Sequence, residues 1–237
     1  MGLKSAIDPA KEAAGRRAAD FVTDGMIVGL GTGSTADYAI RRLAERVKKE
    51  GLRISGIPTS LRTELLAKEL GIPVIDVNGV HQIDLTIDGA DEVDPAFNMI
   101  KGGGGALLRE KVVARASKLE IIVIDPAKRV ERLGRQWPVP VEVVLFGWAQ
   151  AARSLQKLGC DPKLREASGQ PFQTDNGNYI LDCHFPRIDD PAGLERTING
   201  LPGVVECGLF IGLAHRLVVG HPDGRCEVIE RSARSPR

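Results

Sequence analysis

The residues with the clearest chemistry fall between positions 88 and 110. Asp88-Gly-Ala-Asp-Glu-Val-Asp94 closes an apolar run, and Lys101-Gly-Gly-Gly-Gly-Ala-Leu-Leu-Arg-Glu110 follows after a short gap. Four glycines in a row let backbone N–H groups approach a ligand with no Cβ in the way. Each glycine also raises the entropic cost of folding, and such a costly local choice marks a site rather than a core. Taken singly, Asp88 or Asp91 reads as a turn or cap residue. Together, Asp88, Asp91, Glu92 and Asp94 are too many to be caps. Repulsion among them raises at least one carboxyl pKa unless a cation intervenes, and Lys101 is the nearest candidate. Acids at a strand end, a cation on a bare loop and a glutamate on the next helix are the parts of a site that moves a proton.

Glu110 can be tested by helical spacing. Its neighbours three and four residues away are Ala106, Leu107, Val113 and Ala114, none of them a salt-bridge partner. Lys111, Arg115 and Lys118 form a basic stripe on another face. A glutamate bordered by apolar side chains is either an acid favoured by the helix dipole or a group in a dry pocket. In the second case its pKa rises toward that of a useful general base.

A second glycine loop, Gly29-Leu-Gly-Thr-Gly-Ser-Thr35, sits between an apolar strand and a helix. Free N–H donors, hydroxyls and a helix dipole converge there, which suits a phosphate. Ser34 breaks the dinucleotide fingerprint and no Gly-Lys-Ser/Thr is present, so a small phosphorylated substrate fits better than a nucleotide.

These loops need strands and helices to hold them. Asp8 and Pro9 start a helix that continues over 10–22 and puts Lys11 in its first turn. The apolar runs 26–30, 54–57, 73–75, 83–87 and 121–124 read as strands, and 36–49, 61–70 and 106–119 as helices. Strands and helices in alternation imply a mostly parallel sheet covered on both faces. From about Arg129 the texture changes. Pro138 and Pro140 punctuate the chain, 150–158 reads as a helix, 179–183 alternates like a half-buried strand, and Asp175-Asn-Gly-Asn178 has the chemistry of a hairpin turn. The segments 204–213 and 216–219 return to apolar strands. The expected division is a catalytic domain, 1–130 with 206–237, and a small α+β domain, 131–205, inserted into it.

Composition narrows the class. Lys+Arg 32 against Asp+Glu 31 leaves a net charge of +1, so no global field draws the chain to nucleic acid or membrane. No apolar stretch approaches the roughly 20 residues of a membrane span. The first residues lack the apolar core of a secretory signal, and Ala6 stands where a myristoylation signal wants Ser or Thr, so a cytoplasmic location is expected. The basic end, Arg231 to Arg237, reads as frayed. Cys160, Cys183, Cys207 and Cys226 are scattered, without the spacing of a zinc site or a disulfide framework, and read as free thiols. The histidines show no ligand spacing either, and no metal site is expected.

In order and spacing, Gly-Leu-Gly-Thr-Gly-Ser-Thr, Asp-Gly-Ala-Asp-Glu, Lys-Gly-Gly-Gly and Leu-Arg-Glu-Lys resemble ribose-5-phosphate isomerase of the A type. Thr174-Asp-Asn-Gly-Asn178 and Leu201-Pro-Gly-Val-Val205 also match, so the resemblance covers nearly the whole chain. It implies an α/β fold, with an open, mostly parallel Rossmann-like sheet and a smaller inserted α+β (ferredoxin-like) domain. It implies interconversion of ribose 5-phosphate and ribulose 5-phosphate through an enediolate, in the non-oxidative pentose phosphate pathway, with no metal or organic cofactor. Glu110 would be the base, with Asp88, Asp91 and Lys101 beside it. Thr32, Gly33, Ser34 and Thr35 would line the substrate site. Asp88, Gly89, Ala90 and Asp91, with Lys101, Gly102, Gly103 and Gly104, would bind the sugar's oxygens, while Lys11 and Lys128 would reach the substrate too. A homodimer or homotetramer is implied. Gly105 departs from the family pattern, where a small residue such as alanine is common. Two other readings use related chemistry: an amino-sugar phosphate deaminase, for which no histidine here is persuasive, and a sugar-phosphate sensor without catalysis.

Overall fold

The computed structural model describes residues 8–231, and the basic end beyond Arg231 lies outside the described residues. Helix α1 (Pro9–Ala19) begins where Asp8 accepts hydrogen bonds from the N–H groups of Ala10 and Lys11, at 3.1 and 3.2 Å. The chain then builds β1 (Ile27–Leu30), α2 (Ser34–Glu50), β2 (Ser55–Pro58), α3 (Leu61–Leu70) and β3 (Ile83–Gly89). Two short strands, β4 (Glu92–Val93) and β5 (Met99–Ile100), precede α4 (Leu107–Ala116) and β6 (Ser117–Ile124).

The next stretch contains β7 (Val139–Val143), α5 (Trp148–Gln156), β8 (Asp161–Leu164), the pair β9 (Glu166–Ala167) and β10 (Gln170–Pro171), β11 (Tyr179–His184), α6 (Pro191–Asn199) and β12 (Val204–Cys207). The chain ends with β13 (Leu209–Phe210), β14 (Arg216–Gly220) and β15 (Cys226–Glu230).

The main sheet has the order β15-β14-β6-β3-β1-β2 and is parallel except for the edge strand β15. Its strands are near-continuous apolar runs because both faces are covered. Ala14, Ala18, Ile40 and Leu43 pack from α1 and α2 on one face; Leu107 and Phe210 pack against Ile122 and Ile124 on the other. A second sheet, order β12-β7-β11-β8, is antiparallel throughout, and with α5 and α6 it has the β-α-β-β-α-β connection of ferredoxin-like folds.

Several expectations shift. The helix expected over 106–119 stops at Ala116, and the chain enters β6 with no loop. Ser117 is already extended, its hydroxyl donates to the Val113 carbonyl at 2.7 Å, and its backbone registers with Ile83 in the sheet. The run at 73–75 makes one bridge, Gly56 to Val74, rather than a strand. Pro73 has no N–H to donate, and the chain coils at once into a turn over Val77–Gly79. The run at 204–213 splits at Gly208, whose N–H donates to Pro140 and whose carbonyl accepts from Lys101. Before that point the chain pairs in the second sheet; after it, β13 joins β5 and β4. Strand β15 was not expected, since its residues are mostly exposed and carry little apolar signal. All four cysteines are free thiols.

Candidate active site

A cleft of about 360 Å³ opens at the carboxyl ends of β1, β3 and β6. There the sheet's connections diverge: β1 leads through α2 to β2 on one side, and β3 neighbours β6 on the other. That reversal leaves a crevice, the usual ligand position in open α/β sheets. Thr32, Gly33, Ser34 and Thr35 form one wall, and Gly89, Ala90 and Asp91 the floor beyond β3. Lys101, Gly102, Gly103 and Gly104, with Glu110 from α4, face them, while Lys11 and Lys128 stand on the margins. Asp88 is the exception among the expected site residues. It is 1% exposed and does not itself line the cleft, although it pairs with Lys101, which does.

Asp88 instead organises the centre. Its Oδ1 accepts from the N–H groups of Thr32 at 3.0 Å and Gly89 at 2.7 Å, joining the two loops. Its Oδ2 faces the Lys101 ammonium at 3.0 Å. Lys101 also donates to the Gly89 carbonyl and stands 3.5 Å from Glu110 Oε1. Burial alone would strip Lys101 of its proton, but Asp88, Glu110 and Glu120 outweigh it and raise the pKa, so the ammonium stays charged. The other oxygen of Glu110 is buried with no hydrogen-bond partner among the described residues. Burial first, then the charges of Asp88 and Asp91, lift the Glu110 pKa to about 8 against the opposing pull of Lys101. A carboxyl so tuned can take a proton from carbon and give it back near neutral pH.

The loops are fixed from outside the cleft. A Cβ on Gly103 would lie 2.7 Å from Asp91 Oδ1, so glycine lets the loop close until its N–H donates to Asp91 Oδ2 at 2.7 Å. Gly33 caps α2 at φ +117, open to glycine and strained for other residues. Arg165 donates to the carbonyls of Gly102 and Gly103 at 2.8 and 3.2 Å while paired with Asp182. The Thr32 hydroxyl meets those of Thr59 and Ser60, both at 2.8 Å, and Thr63 at 3.2 Å, tying the first loop to the start of α3. Sequence reading missed this set. Ser60 as an N-cap directly after β2 was the available signal, whereas nothing local marks Arg165.

The four-acid cluster does not converge. Glu92 points away, accepting from the N–H groups of Gly134, Gln136 and Trp137, and Asp94 closes a turn with Asn98. The repulsion expected among them comes instead from Glu110 and from Glu120, which is 0% exposed on β6 with neither carboxylate oxygen hydrogen-bonded. The basic stripe dissolves as well. Lys111 is buried against Glu195 and Glu206, at 3.0 and 2.8 Å, and against two carbonyls; Lys118 lies on β6 and pairs with Asp84. Among the described residues no cluster of His, Cys, Asp and Glu is arranged to hold a metal ion.

Among α/β proteins, this cleft places the chain in the class of acid–base enzymes that act on small anionic molecules. Comparison with known proteins narrows the class. Residues 55–224 match the family ribose 5-phosphate isomerase A (phosphoriboisomerase A), and the chain belongs to that family. A ribose-5-phosphate isomerase A of Cereibacter sphaeroides is 54% identical, over 97% of this chain and 94% of that protein. The solved ribose 5-phosphate isomerase of Plasmodium falciparum superposes with a TM-score of 0.92 at 38% identity, covering 96% of this chain and 100% of that one. A D-ribose-5-phosphate isomerase in complex with phospho-erythronic acid superposes at 0.90 with 41% identity, covering 93% and 97%.

Proposed function

We propose that this chain interconverts D-ribose 5-phosphate and D-ribulose 5-phosphate, with Glu110 carrying the proton between C1 and C2. The observation that carries the chemistry is that Glu110 lines the cleft and keeps one buried oxygen free of any hydrogen-bond partner among the described residues. As carboxylate it takes the C2 proton of the open-chain aldose, and the electron pair moves through C1 onto O1, giving the enediolate. Transfer of the O2 proton to O1 shifts the charge to O2, and return of the carbon proton to C1 then yields the ketose. Lys101 and the N–H groups of the glycine loop stand where the oxyanion develops, a fixed donor set in a water-poor site. Asp91 lines the cleft and carries hydroxyl protons, while Asp88 acts as counter-ion to Lys101. The phosphate would sit among the Thr32–Thr35 loop at the start of α2, Lys11 and Lys128. The related isomerase bound to phospho-erythronic acid holds a ligand named for a phosphate and a carboxylic acid, consistent with both halves of this arrangement. No histidine lines the cleft, and nothing favours the deaminase or sensor readings.

We further infer that 131–205 is a unit inserted into a catalytic domain of 1–130 and 206–237, and that the protein works in the cytoplasm as a homodimer or homotetramer in the pentose phosphate pathway. No described helix is long and apolar enough to cross a membrane. The direct test is ribulose 5-phosphate formation from ribose 5-phosphate by the purified chain, before and after chelator treatment. Absence of turnover in both samples overturns the proposal.

A further inference from the structure

Lys128 and Trp137 meet at the mouth of the cleft. The Lys128 ammonium stands 4.6 Å from the centre of the Trp137 ring, within cation–π range, and Lys128 lines the cleft in that same position. Among the described residues no carboxylate forms an ion pair with Lys128, so the indole face is the partner that limits where the ammonium goes. A free lysine side chain spreads over many rotamers, and restricting it before binding removes an ordering cost from the binding step.

The backbone that carries the ring is itself held. Trp137 is 39% exposed and carries little packing, but its backbone N–H donates to Glu92 Oε1 at 2.9 Å, and Gly134 and Gln136 donate to the same carboxylate at 2.7 and 2.5 Å. Glu92 is fully buried and belongs to the Asp88–Glu92 motif that floors the cleft. Lys128 is tied to that floor as well, since the chain just after it bridges Val93 through Arg129 and the Val130 N–H. One acidic strand therefore holds both the lysine's backbone and the backbone that carries the indole.

We propose that Trp137 is a positioning residue for substrate binding: its ring pre-orders Lys128 toward the substrate's phosphate, and Glu92 fixes the loop that presents the ring. This rests on Lys128 contacting the substrate, as proposed above. The role belongs to binding rather than to proton transfer, because Trp137 does not line the cleft and touches none of the acid–base groups named there.

The test combines affinity with turnover. Ribose 5-phosphate binding is measured by calorimetry, and KM and kcat by steady-state assay, for Trp137→Leu, Trp137→Phe, Lys128→Met and the double variant Trp137→Leu/Lys128→Met. Loss of one exposed cation–π contact should weaken binding and raise KM about two- to fivefold with kcat held. Trp137→Phe, which keeps a ring, should recover most of that loss. In the Lys128→Met background, Trp137→Leu should add nothing, because the two act through one contact. Unchanged affinity in Trp137→Leu, or losses that add fully in the double variant, overturns the proposal. The calorimetric arm decides this even if no turnover is found, an outcome that would sink the isomerase reading separately. Should Trp137→Leu fail to fold, Trp148→Phe leaves Trp137 as the only tryptophan. Its emission should then change on titration with ribose 5-phosphate and stay constant when Lys128→Met is added. A constant emission in the first protein, or a change that persists in the second, overturns the proposal.

Discussion

Glu110 Oε1 stands 3.5 Å from the Lys101 ammonium, with side chains 6% and 2% exposed, yet the two do not form an exclusive ion pair. Lys101 lies closer to Asp88 and also donates to the Gly89 carbonyl, which leaves Glu110 a shared and weaker claim on the charge. The second oxygen of Glu110 has no partner among the described residues. A tight, exclusive pair would have lowered the carboxyl pKa and occupied the lone pair that the chemistry requires.

Glu110→Gln keeps shape and burial while removing the base. We expect kcat to fall roughly 10²–10⁴-fold, as for other lost acid–base groups, with ribose 5-phosphate affinity preserved. Steady-state assay and calorimetry on the same preparation separate the two. A variant that retains full turnover removes the base assignment.

The pH profile should carry the mark of burial. Desolvation and the charges of Asp88 and Asp91 raise Glu110 to about 8, and the base works only when deprotonated. Thus kcat/KM should rise with pH through an apparent pKa far above that of an ordinary carboxylate, and fall about tenfold per unit below it. Lys101 pulls the Glu110 pKa down, so Lys101→Met should move this limb to higher pH as well as slow the reaction. A limb centred near 4.5 in the wild-type protein contradicts the geometry described here.

Lys111, next to Glu110 in sequence, should matter for stability. Its ammonium meets Glu195, Glu206 and the carbonyls of Cys207 and Leu209, linking α4 to the second sheet. Lys111→Met leaves those acceptors facing an apolar side chain. Breaking a buried pair from one side costs about 3–5 kcal/mol. Urea titration should show a lower midpoint with an unchanged slope; a midpoint equal to wild type rejects the linkage.

The contrast between Glu110 and Lys111 shows which parts of the site the sequence could reveal. Glu110 was legible because helical spacing alone exposes its missing partners. The glycine loops were legible because close backbone approach leaves a compositional trace, as at Gly103 beside Asp91. The role of Lys111 was not legible, because a basic stripe on a helix does not say what packs there, and α6 and β12 cover it from about 85 and 95 residues downstream. Asp88 and Asp91 were rightly brought to one sheet edge, but which carboxylate faces the cleft depends on side-chain direction rather than on spacing. Arg165 and Trp137 act through contacts distant in sequence, which no local pattern announces. The end of α4 was misjudged because helix propensity through Leu119 yields to strand pairing between Ile83 and Ser117.

Glu120 offers the sharpest test of how far the site strains the fold. It lies in β6, fully buried, with both oxygens lacking partners among the described residues, and burial together with the Asp88 and Glu110 charges holds its pKa well above 4.5 despite Lys101. In the unfolded chain this carboxyl ionises normally. Below its unfolded pKa both states keep the proton and the group is neutral toward stability. As pH rises beyond that point the unfolded state releases its proton while the folded state keeps it, so stability drains away until the folded pKa is passed. The slope for one proton is about 1.4 kcal/mol per pH unit. Glu120→Leu fills similar space and removes the titration. Its melting temperature relative to wild type should therefore be higher at pH 8 than at pH 5. Equal shifts at the two pH values would mean that Glu120 titrates normally in the folded protein, and that its carboxyl reaches water or a partner.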